Sequence, residues 1–139
     1  MENFMKLEFP AKSQNEGFAR AAVGAFAVQL YITASELADI KTAVSEAVTN
    51  SIVHGYANMI GTVYIFCKIT DDCFEITVKD TGLGIENIEE AMQPLFTTDT
   101  NGERSGMGFT VMQTFMDSLE VFSKPGEGTE VKMKKELRL

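Results

Sequence analysis

Apolar residues change their period several times along this chain, and each change marks an element. Met5, Leu7 and Phe9 alternate with Lys6 and Glu8, the period-two pattern of a half-buried strand, and Pro10 ends it. Ser13 and Glu16 have the spacing of a capping box and open a predicted helix that runs to about Leu30. Thr33 and Glu36 repeat that spacing and open a second helix, to about Tyr56, with Gly55 and Asn58 placed to help end it. Thr62 to Thr70 and Cys73 to Asp80 read as two strands joined at Asp71-Asp72. Val63, Ile65, Cys67 and Ile69 share one face of the first, and Phe74, Ile76 and Val78 share one face of the second. Residues 86–93 suggest a short helix, and 94–105 have no periodicity and read as a loop. A helix from near Gly106 covers Phe109 to Met116. Leu119 to Ser123 and Thr129 to Leu137 then fit a hairpin around Pro125-Gly126-Glu127-Gly128. These elements predict an α+β fold: a two-layer sandwich, its sheet mixed but mainly antiparallel, covered by helices.

The bulk numbers narrow the picture. The chain has 139 residues, enough for one core, and no repeat or linker divides it, so residues 1–139 are expected to form a single domain. The net charge of −8, with no visible basic stripe, argues against direct contact with nucleic acid. No charged-apolar-small leader opens the sequence, and no apolar run approaches the roughly 20 residues that span a bilayer, so no membrane association is expected. Cys67 and Cys73 are the only cysteines; without a secretion signal they read as reduced thiols and point to the cytoplasm.

Candidate chemistry first appears on the second helix. Leu37, Ile40, Val44, Val48 and Ile52 form its apolar stripe. Glu46, Asn50 and His54 follow at i, i+4 and i+8, each about 40° further round and roughly opposite that stripe. A solvated polar face would explain them. Against it, Glu46 is the only charged residue from Ala43 to Ala57, where a water-facing helix carries several. Both faces are therefore expected to be covered, one by core and the other by a ligand or another element. A partly enclosed Glu46 is then a candidate base, and Asn50, one turn on, offers a neutral oxygen suited to Mg²⁺. His54, the lone histidine, reads equally well as a polar cap before Gly55.

Two glycine-rich segments follow. Asp80-Thr81-Gly82-Leu83-Gly84 comes directly after a predicted strand, where glycines allow a sharp turn or the approach of a flat ligand. Asp80 has an acceptor oxygen suited to an exocyclic amine. An ordinary turn has the same look. Arg104-Ser105-Gly106-Met107-Gly108-Phe109 sits where the long loop meets a helix, so free N–H groups there suit a phosphate; a flexible hinge fits as well. Pro94 to Ser105, between these segments, is polar; a lid or an ordinary surface loop would fit it. A dinucleotide-binding G-x-G-x-x-G and a Walker-type P-loop are both absent.

Taken in order, the pieces resemble the Bergerat (GHKL) ATP-binding signature. Glu46-Ala-Val-Thr-Asn50-Ser-Ile-Val-His54-Gly55 is similar to its N-box. Asp80-x-Gly82-x-Gly84 and Gly106-x-Gly108 are similar to its two glycine boxes, and Gly128-Thr129 to its last motif. Ser45 to Tyr56, Pro94-Leu-Phe-Thr-Thr98 and Glu103 to Phe109 resemble most closely the serine-kinase anti-sigma factors of spore-forming bacteria. The opening Leu7-Glu-Phe and Ser13 to Arg20 resemble the same branch, so the likeness covers essentially the whole chain. It implies a Bergerat fold that binds ATP or ADP with Mg²⁺. It also implies a homodimer that holds a sporulation sigma factor (sigma F type) inactive and phosphorylates a serine of an anti-anti-sigma factor.

Residue by residue, the resemblance implies that Asn50 ligates Mg²⁺, Asp80 bonds the adenine amine, and Gly82 and Gly84 shape the base pocket. Arg104, Gly106 and Gly108 would surround the phosphates, with Thr98, Ser105, Met107 and Phe109 in the same nucleotide-binding set. Thr129 would support the adenine end, and Glu46 would be the catalytic base.

Arg20 is the only cation between Lys12 and Lys41 and precedes twelve uncharged residues, so it is either one solvated arginine or part of a partner-binding patch. The uncharged stretch itself suits a dimer interface or ordinary core. Two other functions compete. A histidine-kinase catalytic fragment would usually carry Lys at position 53, where this chain has Val, and would need a separate phospho-accepting helical hairpin. A nucleotide-dependent binding switch without kinase activity would not require a carboxylate at position 46.

Overall fold

The computed structural model describes residues 2–57, 59–93 and 108–137. β1 (Asn3–Pro10), β2 (Thr62–Thr70), β3 (Cys73–Asp80), β4 (Ser118–Lys124) and β5 (Gly128–Glu136) form one sheet in the order β1-β2-β3-β5-β4. All four neighbouring pairs are antiparallel, so the described sheet contains no parallel pair. The β2–β3 hairpin turns at Asp71-Asp72, as its polar pair predicts.

Strand alternation decides which side is core. Val63, Ile65, Cys67 and Ile69 from β2, Phe74, Ile76 and Val78 from β3, and Val131 and Met133 from β5 all face the helices and are buried. α1 (Gln14–Ala27), α2 (Ala34–Asn50) and α4 (Gly108–Phe115) cover that face, with α2 packed between the other two. A four-residue helix, α3 (Ile88–Ala91), starts at Asn87, whose side chain accepts the Glu90 N–H. Burial pushes the Cys67 thiol up to about 12, so it acts as a small apolar side chain.

The two predicted helix starts differ. At α2 the capping box forms in full: Thr33 accepts the Glu36 N–H and Glu36 accepts the Thr33 N–H. At α1 it does not form. Ser13 precedes the helix in helical geometry and makes no side-chain cap bond. The Glu16 carboxylate turns instead to the Ser45 hydroxyl on α2 and to Arg20, 3.7 Å away, so a tertiary partner outcompetes the local one. α1 continues as a 3₁₀ turn over Val28–Leu30 and ends where Tyr31 adopts a left-handed conformation (φ 54°).

The second helix also ends differently from its predicted close. After Asn50 it widens into a single π turn, Ser51–Gly55. The residue that reverses the chain with positive φ is Ala57 (φ 51°), not Gly55, and Asn58 lies outside the described residues. Gly55 has another role: a Cβ there would sit 2.7–2.9 Å from the Asp80 carboxylate atoms.

Candidate functional site

α2 is enclosed on both sides, as its lack of charge predicts. Ala43 and Ala47 are buried, α1 packs on one flank and α4 on the other. Glu46, Asn50 and His54 are half-buried. α4 begins directly over two of them: a Cβ on Gly108 would lie 3.0 Å from Asn50 Nδ2, 3.1 Å from Asn50 Oδ1 and 3.3 Å from Glu46 Oε2. The glycine thus lets the helix start come close to the carboxamide and the carboxylate. Phe109, in the same first turn, is half-buried and packs against the core.

The other end of the site is built around Asp80, buried at the end of β3 with 2% exposure. Its Oδ1 accepts the Gly82 N–H at 3.0 Å, and the Ser51 hydroxyl and Thr129 N–H also donate to the carboxylate. A carboxylate has about four lone-pair sites, and the three donors among the described residues do not fill them. Burial, only partly offset by those bonds, holds the Asp80 carboxyl above the usual carboxylate range.

Close backbone approach holds this corner together. A Cβ on Gly82 would fall 1.9 Å from the Gly55 carbonyl oxygen, and one on Gly128 would fall 2.1 Å from the Asp80 carbonyl oxygen. Leu83 N–H donates to the Gly55 carbonyl at 2.7 Å. Gly84, at φ 78°, leads the chain past the β4–β5 hairpin, where Gly126 N–H donates to the Leu83 carbonyl at 2.7 Å. Ser123 completes the tie: its hydroxyl donates to the Gly128 carbonyl, accepts the Ile85 N–H, and lies 2.8 Å from Thr129 Oγ1. Thr129 itself stands opposite Asp80 in the β3–β5 ladder.

The two ends are one site because they meet at consecutive residues. Asn50 faces Gly108, and Ser51, the next residue, bonds Asp80. The fold therefore brings Glu46, Asn50, Asp80, Gly82, Gly84, Gly108 and Thr129 to one end of α2. Thr98, Arg104, Ser105, Gly106 and Met107 lie outside the described residues. Arg20 is elsewhere, on the outer side of α1, half-exposed and paired with Glu16. Ser51, Tyr56 and Ser123 belong to the site yet are not among the predicted site residues. Ser51 and Tyr56 lie within the motif stretch Ser45 to Tyr56, whereas Ser123 carries no sequence signal. Among the described residues no cluster of three or more His, Cys, Asp or Glu side chains could hold a metal ion by itself. A Mg²⁺ bound here would rely on Asn50 together with the phosphates of a nucleotide and water, a donor set that suits this ion.

Comparison with known proteins identifies the family and the fold. The histidine kinase-like ATPase domain family matches residues 9–135. An anti-sigma F factor of Clostridium perfringens (strain SM101 / Type A) is 59% identical over 138 residues, 99% of this chain and 99% of its own. An anti-sigma F factor of Thermoanaerobacter sp. (strain X514) is 63% identical over 133 residues, 96% of this chain and 93% of its own. Among solved structures, the RsbU and RsbW domains of a Mycobacterium tuberculosis protein superpose with a TM-score of 0.72 at 19% identity, covering 97% of this chain and 32% of that one. The catalytic domain of the histidine kinase ThkA superposes with a TM-score of 0.61 at 16% identity, covering 95% of both chains. The last two likenesses concern the fold alone.

Proposed function

This chain belongs to the anti-sigma F factor family, built on the histidine kinase-like ATPase domain, and from that premise we propose that it binds Mg-ATP, inhibits a sporulation sigma factor of the F type, and phosphorylates a serine of the cognate anti-anti-sigma factor. The observation that carries the reading is the adjacency at Asn50 and Ser51. One residue faces the start of α4 and the next holds the strand-end carboxylate, so a nucleotide spanning the two would have both its base and its phosphates engaged.

The residues divide the work by their chemistry. Asp80 offers its carboxylate to the adenine amine as an acceptor, and Gly82, Gly84 and Thr129 shape the wall around it. The first turn of α4 presents backbone N–H groups to the phosphates, and the resemblance gives Arg104 and Gly106 to the same phosphate-binding set. Mg²⁺, when bound through Asn50, neutralises charge on the phosphates. Phosphoryl transfer needs mainly alignment and charge neutralisation, so the protein supplies few covalent steps. Glu46 takes the proton from the incoming serine hydroxyl. Incubation with γ-labelled ATP and the purified anti-anti-sigma factor should transfer label to a serine of that protein. Label retained on a histidine of this chain would indicate a histidine kinase. Nucleotide-dependent binding without any transfer would indicate a switch.

Partner binding involves a different surface. Arg20 projects from α1 beside Ala21, Ala25 and Val28, which are exposed and uncharged, while Val23, Phe26 and Ala27 on the other side are core. A single cation next to a small apolar strip suits an acidic, apolar partner surface. Arg20→Ala should weaken binding of both the sigma factor and its antagonist at least tenfold, about 1.4 kcal/mol, with no change in ATP affinity. Normal affinity for both partners in a calorimetric titration would remove Arg20 from the interface. We also propose a homodimer, which sedimentation analysis can check directly.

A further inference from the structure

Tyr56 directly follows the π turn and is 8% exposed. Its hydroxyl lies 2.6 Å from the Thr62 carbonyl oxygen, 2.8 Å from the Thr81 nitrogen and 3.2 Å from Thr81 Oγ1. A phenol has one proton and two lone pairs. The Thr62 carbonyl only accepts, so it receives that proton. The Thr81 N–H only donates, so it uses one lone pair. The other lone pair then makes the Thr81 hydroxyl a donor. All three positions of the phenol are taken up within the protein, and none remains for a ligand.

The site of this contact gives it a purpose. Thr81 stands between Asp80, the proposed purine acceptor, and Gly82, whose N–H the Asp80 carboxylate accepts. Thr62 is the first residue of β2. One hydroxyl therefore ties the start of β2 to the turn that aims Asp80. The ring has a prepared seat, because a Cβ on Gly61 would lie 2.3–2.6 Å from three of its carbons. On the far side of the same turn, Leu83 N–H donates to Gly55, the residue before Tyr56. The Asp80–Gly84 turn is thus tied on both sides to the end of the π turn.

We infer that Tyr56 is a positioning residue for the purine end of the nucleotide site, fixing the Thr81 backbone through its hydroxyl and so setting the direction of the Asp80 carboxylate; this rests on the nucleotide-binding reading above. The ring makes the core contacts and the hydroxyl makes the alignment, so Tyr56→Phe separates the two. ADP is titrated calorimetrically into wild type and variant, and phosphorylation of the anti-anti-sigma factor is followed at varied ATP. The variant should bind ADP about five- to tenfold more weakly, the effect expected for losing a bridging hydroxyl. Its KM for ATP should rise by the same factor, and kcat should stay within about twofold. Wild-type ADP affinity in the variant, or a fall in kcat at unchanged KM, overturns the inference. Wild-type protein that fails to bind ADP instead overturns the nucleotide-binding reading beneath it. If Tyr56→Phe does not fold, Thr81→Val removes only the second donor to the phenol, and ADP affinity should fall about threefold. Unchanged affinity in that variant overturns the inference equally.

Discussion

Glu46→Gln lowers the rate of serine phosphorylation roughly a hundred- to ten-thousand-fold, the usual range for removing a general base, and leaves ATP affinity within about twofold. The reason is local. Glu46 sits half-buried beside the start of α4, on the same helix face as Asn50 and one turn before it. Glutamine has the same length and shape, so the contact with Gly108 and the packing of α2 survive. What it lacks is the ability to take a proton at neutral pH. Single-turnover phosphorylation measured alongside ATP binding checks the separation. Loss of both to the same degree would make Glu46 a binding or structural group, and loss of neither would remove it from the chemistry.

Asp80→Asn should weaken ATP and ADP binding roughly ten- to hundredfold, the consequence of losing a charged acceptor for the base amine. The same change should abolish the pH dependence of stability that Asp80 gives the apo protein. Burial raises the Asp80 pKa in the folded state above its ordinary 3.8. A carboxyl raised in this way contributes its stability fully below the unfolded pKa and loses it as pH rises through the folded value. At pH 7 the ionised group therefore works against the fold, whereas asparagine has no charge to bury. As the pH falls from 7 toward about 4, the wild type should gain melting temperature relative to the variant. Melting curves over that range, without nucleotide, test the sign. A variant that melts below wild type by the same margin at every pH would show that Asp80 is held for structure instead.

The sequence by itself determined the elements and the order of the site motifs. Period-two alternation placed β2 and β3 to the residue, because one buried face leaves no freedom of register. The charge-poor run around Glu46 pointed to a helix covered on both sides, because a water-facing helix usually carries several Lys or Glu residues. Family resemblance joined Glu46, Asn50, Asp80, Gly82, Gly84, Gly108 and Thr129 before any distance was known. Tertiary structure alone decided how they meet. Glu16 left its predicted cap for Ser45 because a residue 29 positions away in sequence lies beside it in the fold. Gly55 reads as a helix stop, yet it is there to admit the Asp80 carboxylate. The phenol of Tyr56 bonds residues 6 and 25 positions away, and Ser123 bonds Ile85, 38 positions away. Such contacts have no period and no local spacing, since they depend on where whole elements come to rest. Periodicity reports which side of an element is buried; only packing decides what lies across from it.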